Sequence, residues 1–249
     1  MSSRGFSRLF WYAGAAATFT VYLLTVSRGA YVGLVVGYLW AAFLCRSLLP
    51  PARIASWILA GVTLAILAVG LVSLVEPQVA AAVTGRLFDN PAAMGIGEAS
   101  SGRTGIWQRV LEEMMSYPVS LFTGFGWDVY ATMPFVYVTH NVYLDQWFNL
   151  GLLGVAVYVI ILWSSIATAK RTASLASVPM NRYMIAFVFG MVALSVAVMF
   201  TNLYTSPPYI WMYVGLTMRG AIFVLDKAEQ KAQVPAPVAP PLGASWRRA

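Results

Sequence analysis

The 249 residues are 59% hydrophobic and only 10% charged, with a mean hydropathy of +0.71 and a formal net charge of +7. Soluble domains carry roughly 25% charged residues, so a water-soluble globular fold is excluded and the composition defines an all-α, polytopic transmembrane helical bundle. The basic residues stand singly or in pairs at the ends of apolar runs, not as a patch interleaved with aromatics, so no nucleic-acid partner is expected.

The chain opens on a basic stretch, Met1 to Arg8, followed by an apolar run without a clear cleavage site, which reads as a retained span and not a signal peptide. About six spans are predicted, at Leu9–Val26, Ala30–Leu49, Ile54–Val75, Tyr143–Thr168, Tyr183–Phe200 and Tyr209–Leu225. Each approaches the roughly 17–25 residues that cross about 30 Å of hydrocarbon. The second run holds Cys45, the single cysteine, which reads as a small core residue and excludes both a disulfide framework and a Cys-based metal site. Arg46, near the end of that run, is long enough to reach the interface. The fourth run carries Asp145 near its start and is expected to enter the membrane around Phe148. Positions 1–225 thus form one membrane domain, and 226–249, rich in Pro and Ala towards its end, is expected to be a disordered cytoplasmic tail.

Orientation follows from the loops. With Met1 inside, twelve basic residues fall on the inner side, and only Arg28, Arg86, Arg103 and Arg109 fall outside. Basic residues favour the cytoplasmic side, so both termini are expected there, in a bacterial inner membrane. The connection Glu76–Asn141 then lies outside as a long periplasmic loop. Loops of this length are functional or disordered, and Trp107, Phe122, Phe125, Trp127, Tyr130, Phe135 and Tyr137 argue against disorder. Within it, Arg103–Met115 is predicted to be a helix that Pro118 prevents from continuing. At about 100° per residue, Arg103, Trp107, Val110 and Met114 share a stripe, whereas Arg109, Glu112 and Glu113 lie away from it. An amphipathic helix resting flat on the outer interface is the expectation.

Three basic side chains converge on that face of the membrane: Arg28 in Ser27-Arg28-Gly29, Arg103 in Gly102-Arg103-Thr104-Gly105-Ile106-Trp107, and His140, the only histidine, in Thr139-His140-Asn141-Val142-Tyr143. The guanidinium fork suits phosphate oxygens, and imidazole exchanges protons near neutral pH. Phosphate binding with acid–base work is the chemistry this set can do. Plainer roles stand beside it: an interface anchor for Arg28, a snorkelling cation for Arg103, a hydrogen-bonded interfacial His140. Asp145 can orient the imidazole or cap a helix. The run Leu150-Gly151-Leu152-Leu153-Gly154 reads most simply as small residues that let helices approach closely. A zinc site, a phosphate-binding loop, a dinucleotide fold and a serine-hydrolase elbow all lack their residues.

These motifs and their order resemble the O-antigen ligase and polymerase superfamily. The matching residues are Ser27-Arg28-Gly29-Ala30, Gly102-Arg103 with Trp107, Gly124-Phe125-Gly126, His140-Asn141 with Tyr143-Leu144, and Gly151-Leu152-Leu153-Gly154. The resemblance implies a glycosyltransferase that needs neither metal nor nucleotide cofactor. It would move a glycan from undecaprenyl diphosphate to a sugar acceptor (lipid A–core, a glycan or a protein) in lipopolysaccharide or other polysaccharide biosynthesis. On this reading Arg28, Arg103 and His140 are catalytic, and Arg28, Arg103, Trp107, Asn141 and Tyr143 contact substrate. Family members typically have more spans than this chain, which matches their C-terminal half. That difference implies a second membrane subunit supplying the missing spans, a minimal member, or a remnant. The alternative is a non-enzymatic membrane subunit that binds lipid-linked polysaccharide for a partner. A transporter is disfavoured, because mid-span positions are almost free of charge and the polar features collect at one face.

Overall fold

A computed structural model describes residues 3–24, 28–78, 81, 85, 102–127, 129, 132, 139–201 and 207–233. Among them every regular element is helical: α1 (Ser3–Leu24), α2 (Arg28–Leu44), α3 (Pro51–Val75), α4 (Arg103–Ser116), α5 (Ser120–Thr123), α6 (Val142–Leu175), α7 (Met180–Ala197) and α8 (Pro207–Gln233). Each of the six predicted apolar runs overlaps one helix. Four of these, α3, α6, α7 and α8, are long and apolar enough to cross a membrane, and α2 adds a shorter apolar stretch, Tyr31–Leu44. The chain is a multi-pass membrane protein.

The bundle is organised around α7, which packs on α2 and α6 and touches α8. Its core joins Met184, Phe187, Val188 and Met191 of α7 to Leu162 and Ile166 of α6 and to Ala221 of α8. The α2–α7 contact has a simple cause in the sequence. Gly29, Gly33, Gly37, Ala41 and Cys45 recur every fourth residue on α2 and its end, and all are buried. A Cβ added at Gly33 would lie 2.8 Å from Ala197 Cα, and one at Gly37 only 2.4 Å from Ala193 Cα. Apolar burial does not drive helices together inside lipid, so close backbone approach at small residues is what holds such a pair. Cys45 is 0% exposed, as its reading as a core residue requires.

Two boundaries differ from the sequence reading. The expected disordered tail from 226 begins instead as helix, since α8 runs on to Gln233. Asp226, Lys227, Ala228, Glu229, Gln230, Lys231 and Ala232 are mostly good helix formers, and Lys227 Nζ sits 4.4 Å from the centre of the Phe223 ring. The rest of the tail, 234–249, lies outside the described residues. The fourth apolar run extends from Val142 to Leu175 but is broken at Gly151, where φ is 68° and ψ is −169°.

Candidate active site

The predicted loop helix exists, and its stripe is buried. Val110 and Met114 of α4 are fully buried against Leu144 and Phe148 in the first turns of α6, with Ile106 and Trp107 packed on the same cluster. Arg109 and Glu112 are exposed, whereas Arg103 is half-buried. The stripe therefore faces protein, and not the lipid interface expected for it. Met114 and Phe148 fix α4 across the N-terminal piece of α6.

A glycine crossing holds the next segment. At Gly124, φ is 71° and ψ is −177°, and Gly151 has nearly the same angles, a conformation open almost only to glycine. The two residues face each other's strands of backbone: a Cβ at Gly124 would lie 2.3 Å from the Asn149 carbonyl oxygen, and one at Gly151 would lie 2.0 Å from that of Phe122. The break at Gly151 releases carbonyls that an unbroken helix would use internally. Loop amides replace the lost donors: Phe125 N–H donates to Phe148 O at 2.9 Å and Gly126 N–H to Asn149 O at 3.0 Å. The Trp147 indole donates to Leu121 O at 2.9 Å. Thus Gly124-Phe125-Gly126 and Gly151, read separately in the sequence, form one joint. The close approach expected at Leu150–Gly154 is real, but its partner is α5 and not another span.

The His140 turn is clamped on both sides. His140 is exposed at φ 53°, the one left-handed non-glycine residue among those described. Such a conformation costs on the order of 1–2 kcal/mol and persists where neighbours over-determine it. On one side, the Trp107 indole donates to the Thr139 carbonyl at 2.7 Å. The Thr139 hydroxyl donates to the Asp145 carboxylate and accepts the Asn141 N–H at 3.1 Å. Thr139 and Asp145 are 0% and 6% exposed, so this pair is internal to the turn. On the other side, Asn141 Oδ1 caps α6 by accepting Tyr143 N–H at 3.0 Å and Leu144 N–H at 3.1 Å. The Tyr143 hydroxyl donates to Ser195 O at 2.8 Å, and Val142 N–H donates to Val198 O at 2.9 Å.

These bonds locate the residues picked out in the sequence. Arg103 stands four residues before Trp107 on the same face of α4, about 6 Å along the axis, so the bond from Trp107 to Thr139 ties the arginine helix to the histidine turn. Arg28 is the first residue of α2; its side chain lies outside what is described. Its neighbour Gly29 packs on Phe200, where an added Cβ would lie 2.2 Å from Phe200 Cβ. Phe200 is two residues beyond Val198, the partner of Val142. The starts of α2 and α6 therefore meet at the end of α7. Trp107, Asn141 and Tyr143 each have a polar atom engaged within the protein, which makes them the frame of the turn. An apolar cleft of about 170 Å³ lies beside Tyr143, lined by Trp40, Leu44, Trp163, Val192 and Met199 among others.

Sequence reasoning missed the Thr139–Asp145 pair and the glycine register of α2. The first had no signal beyond a spacing of six. The second was readable as Gly-x3-Gly-x3-Gly.

A helical membrane bundle that carries a loop helix and a clamped histidine turn defines the class: a multi-pass integral membrane protein. A family pattern described as O-antigen ligase matches residues 13–159, well over half of the chain, and the protein belongs to that family. No curated protein and no solved structure matches it. The matched stretch contains Arg28, α4, the glycine crossing and the His140 turn.

Proposed function

We propose that the chain transfers a glycan from undecaprenyl diphosphate to an acceptor hydroxyl at the periplasmic face. On this reading all six apolar helices span the inner membrane, both termini are cytoplasmic, and α4 to α5 lie in the periplasm. The bond between Trp107 and Thr139 carries the proposal, because it ties the helix that begins with Arg103 to the turn that holds His140.

The acceptor O–H attacks the anomeric carbon, and a new C–O bond forms there as the bond to the diphosphate oxygen breaks. The acceptor proton passes to the His140 imidazole, and the lipid diphosphate leaves with the electron pair. Arg103 and Arg28 stabilise the charge that grows on it. The start of α4 adds to this field: it has no acidic residue in its first turn, and the positive end of its helix dipole favours an anion. Trp107, Asn141 and Tyr143 act by holding the turn, and the apolar cleft beside Tyr143 suits part of an isoprenoid chain. The glycan and the acceptor are those of a polysaccharide pathway, and no metal or nucleotide takes part in the scheme.

The test is transfer by the purified chain in lipid nanodiscs, with a glycan on undecaprenyl diphosphate as donor. Arg103→Ala and His140→Ala should each lower the rate by about 100-fold or more with unchanged expression, whereas Arg109→Ala, on the exposed side of α4, should stay near wild type. Equal effects of Arg103→Ala and Arg109→Ala would overturn the assignment. Binding of the lipid without transfer, even beside neighbouring membrane proteins, would make the chain a lipid-glycan-binding subunit instead.

A further inference from the structure

Burial of the α4 stripe leaves a different apolar surface uncovered. Met115, Tyr117, Val119, Phe122 and Trp127 are between 59% and 72% exposed. From Met114 to Trp127 there is no charged residue, although Glu113 and Asp128 flank the stretch. The outward set has a direction. Around α5, Val119, Phe122 and Thr123 are exposed while Ser120 is buried and Leu121 packs inward on the Val110–Phe148 cluster.

The glycine crossing sets the depth of this surface. α6 has no charged residue between Asp145 and Lys170, and its apolar window is that of a membrane span. Gly151 precedes Lys170 by 19 residues, which is about 29 Å of helix, the thickness of the hydrocarbon core. With Lys170 at one boundary, Gly151 lies at the other. The Phe122 backbone rests directly on Gly151, and Leu152 and Leu153 just beyond it are 52% and 71% exposed. The loop surface is thus continuous with the lipid-facing surface of α6, at the level where the acyl chains end.

We propose that residues 115–127 form a wedge that enters the adjacent lipid leaflet, with Val119 and Phe122 among the acyl chains and Tyr117 and Trp127 at the headgroup level. Interfacial segments lie this way, with apolar side chains a few ångströms into the acyl boundary and Tyr and Trp at the polar edge. The occupant is lipid because the patch continues a lipid-covered span at the same depth, and an apolar surface of this kind is not left to water. The loop unit then rests on the bilayer through α5 and not through the stripe of α4, which fixes the position of Arg103 and His140 relative to the membrane. The inference depends on α6 spanning the membrane and not on glycosyl transfer.

The experiment uses the full chain in phospholipid nanodiscs. In a Cys45→Ala background, single cysteines at Val119, Phe122 and, as a water-facing reference, Glu112 are labelled with an environment-sensitive fluorophore. Labels at 119 and 122 should emit to the blue of the label at 112. They should be quenched several-fold more by doxyl-labelled phospholipid and be shielded from iodide. As a check free of substitutions, a lipid-soluble carbene reagent should modify the wild-type peptide around Phe122 and spare the one around Gln108. Iodide quenching at 119 and 122 equal to that at 112, with no lipid-phase labelling, overturns the proposal. Shielding from both iodide and lipid overturns it too, because a second copy or a partner chain would then cover the face.

Discussion

Glycine builds both the α2–α7 seam and the crossing of the loop over α6, but for different physical reasons. In the seam, Gly29, Gly33 and Gly37 are ordinary helical residues whose missing side chains let Phe200, Ala197 and Ala193 come close. At the crossing, Gly124 and Gly151 remove bulk and also adopt backbone angles that other residues rarely reach. The seam is a packing solution that a small shift of one helix can relieve. The crossing has no such freedom, because the conformation itself selects glycine. The difference matters because the seam joins two helices of the bundle, whereas the crossing sets the loop that carries Arg103 relative to the helix that follows His140.

The largest effect should come from breaking the crossing with Gly151→Val. The new side chain would overlap the Phe122 carbonyl, and the backbone would still have to hold φ 68°. Strain and overlap together are expected to cost about 3 kcal/mol or more. Donors for Phe148 O and Asn149 O would be lost as α5 lifts away. The bundle of α2, α6, α7 and α8 should still insert, while glycan transfer drops by on the order of 100-fold through misplacement alone. Limited proteolysis near α5 reports the lifting directly. A Gly151→Val protein with an intact loop and full activity would show that the kink is incidental.

How far the sequence revealed this depends on whether a feature is periodic. Hydrophobic runs identified every long helix, and the 3.6-residue period identified the stripe of Trp107, Val110 and Met114, because burial imposes those rhythms wherever they occur. What the stripe covers was not legible. An apolar face has no mark that tells lipid from the Leu144–Phe148 surface. Gly124 and Gly151 lie 27 positions apart, and nothing in either segment names the other. The same holds for Trp107 and Thr139, whose bond is the geometric link between Arg103 and His140. Residue chemistry nominated Arg28, Arg103 and His140, whereas the bonds that frame the His140 turn had no mark in the sequence.

A smaller effect is expected from Gly37→Ala in the seam. Its Cβ would meet Ala193 Cα at 2.4 Å with no change of backbone conformation, so the cost is that of overpacking, about 1–3 kcal/mol. The midpoint of unfolding in detergent should fall, and the turnover of the folded fraction should change little, because the described hydrogen bonds of the His140 turn run to α4, α6 and the end of α7. A loss of turnover at constant stability would mean that seam and site are coupled more tightly than their contacts imply.

The smallest effect probes where the two regions join. The Tyr143 hydroxyl donates to Ser195 O at 2.8 Å, linking the start of α6 to the α7 end of the seam. Tyr143→Phe keeps the ring beside Tyr158, 5.6 Å between centroids, and removes only that bond. Hydrogen bonds between membrane helices average about 0.6 kcal/mol, so stability should barely move. Yet Val142 N–H still holds Val198, and Asn141 still caps α6, so the His140 turn should keep its place and transfer should fall less than threefold. If Tyr143 instead contacts substrate, the same variant should raise KM markedly at unchanged stability. The balance of KM against stability in Tyr143→Phe therefore separates a residue that holds the turn from one that binds what the turn acts on.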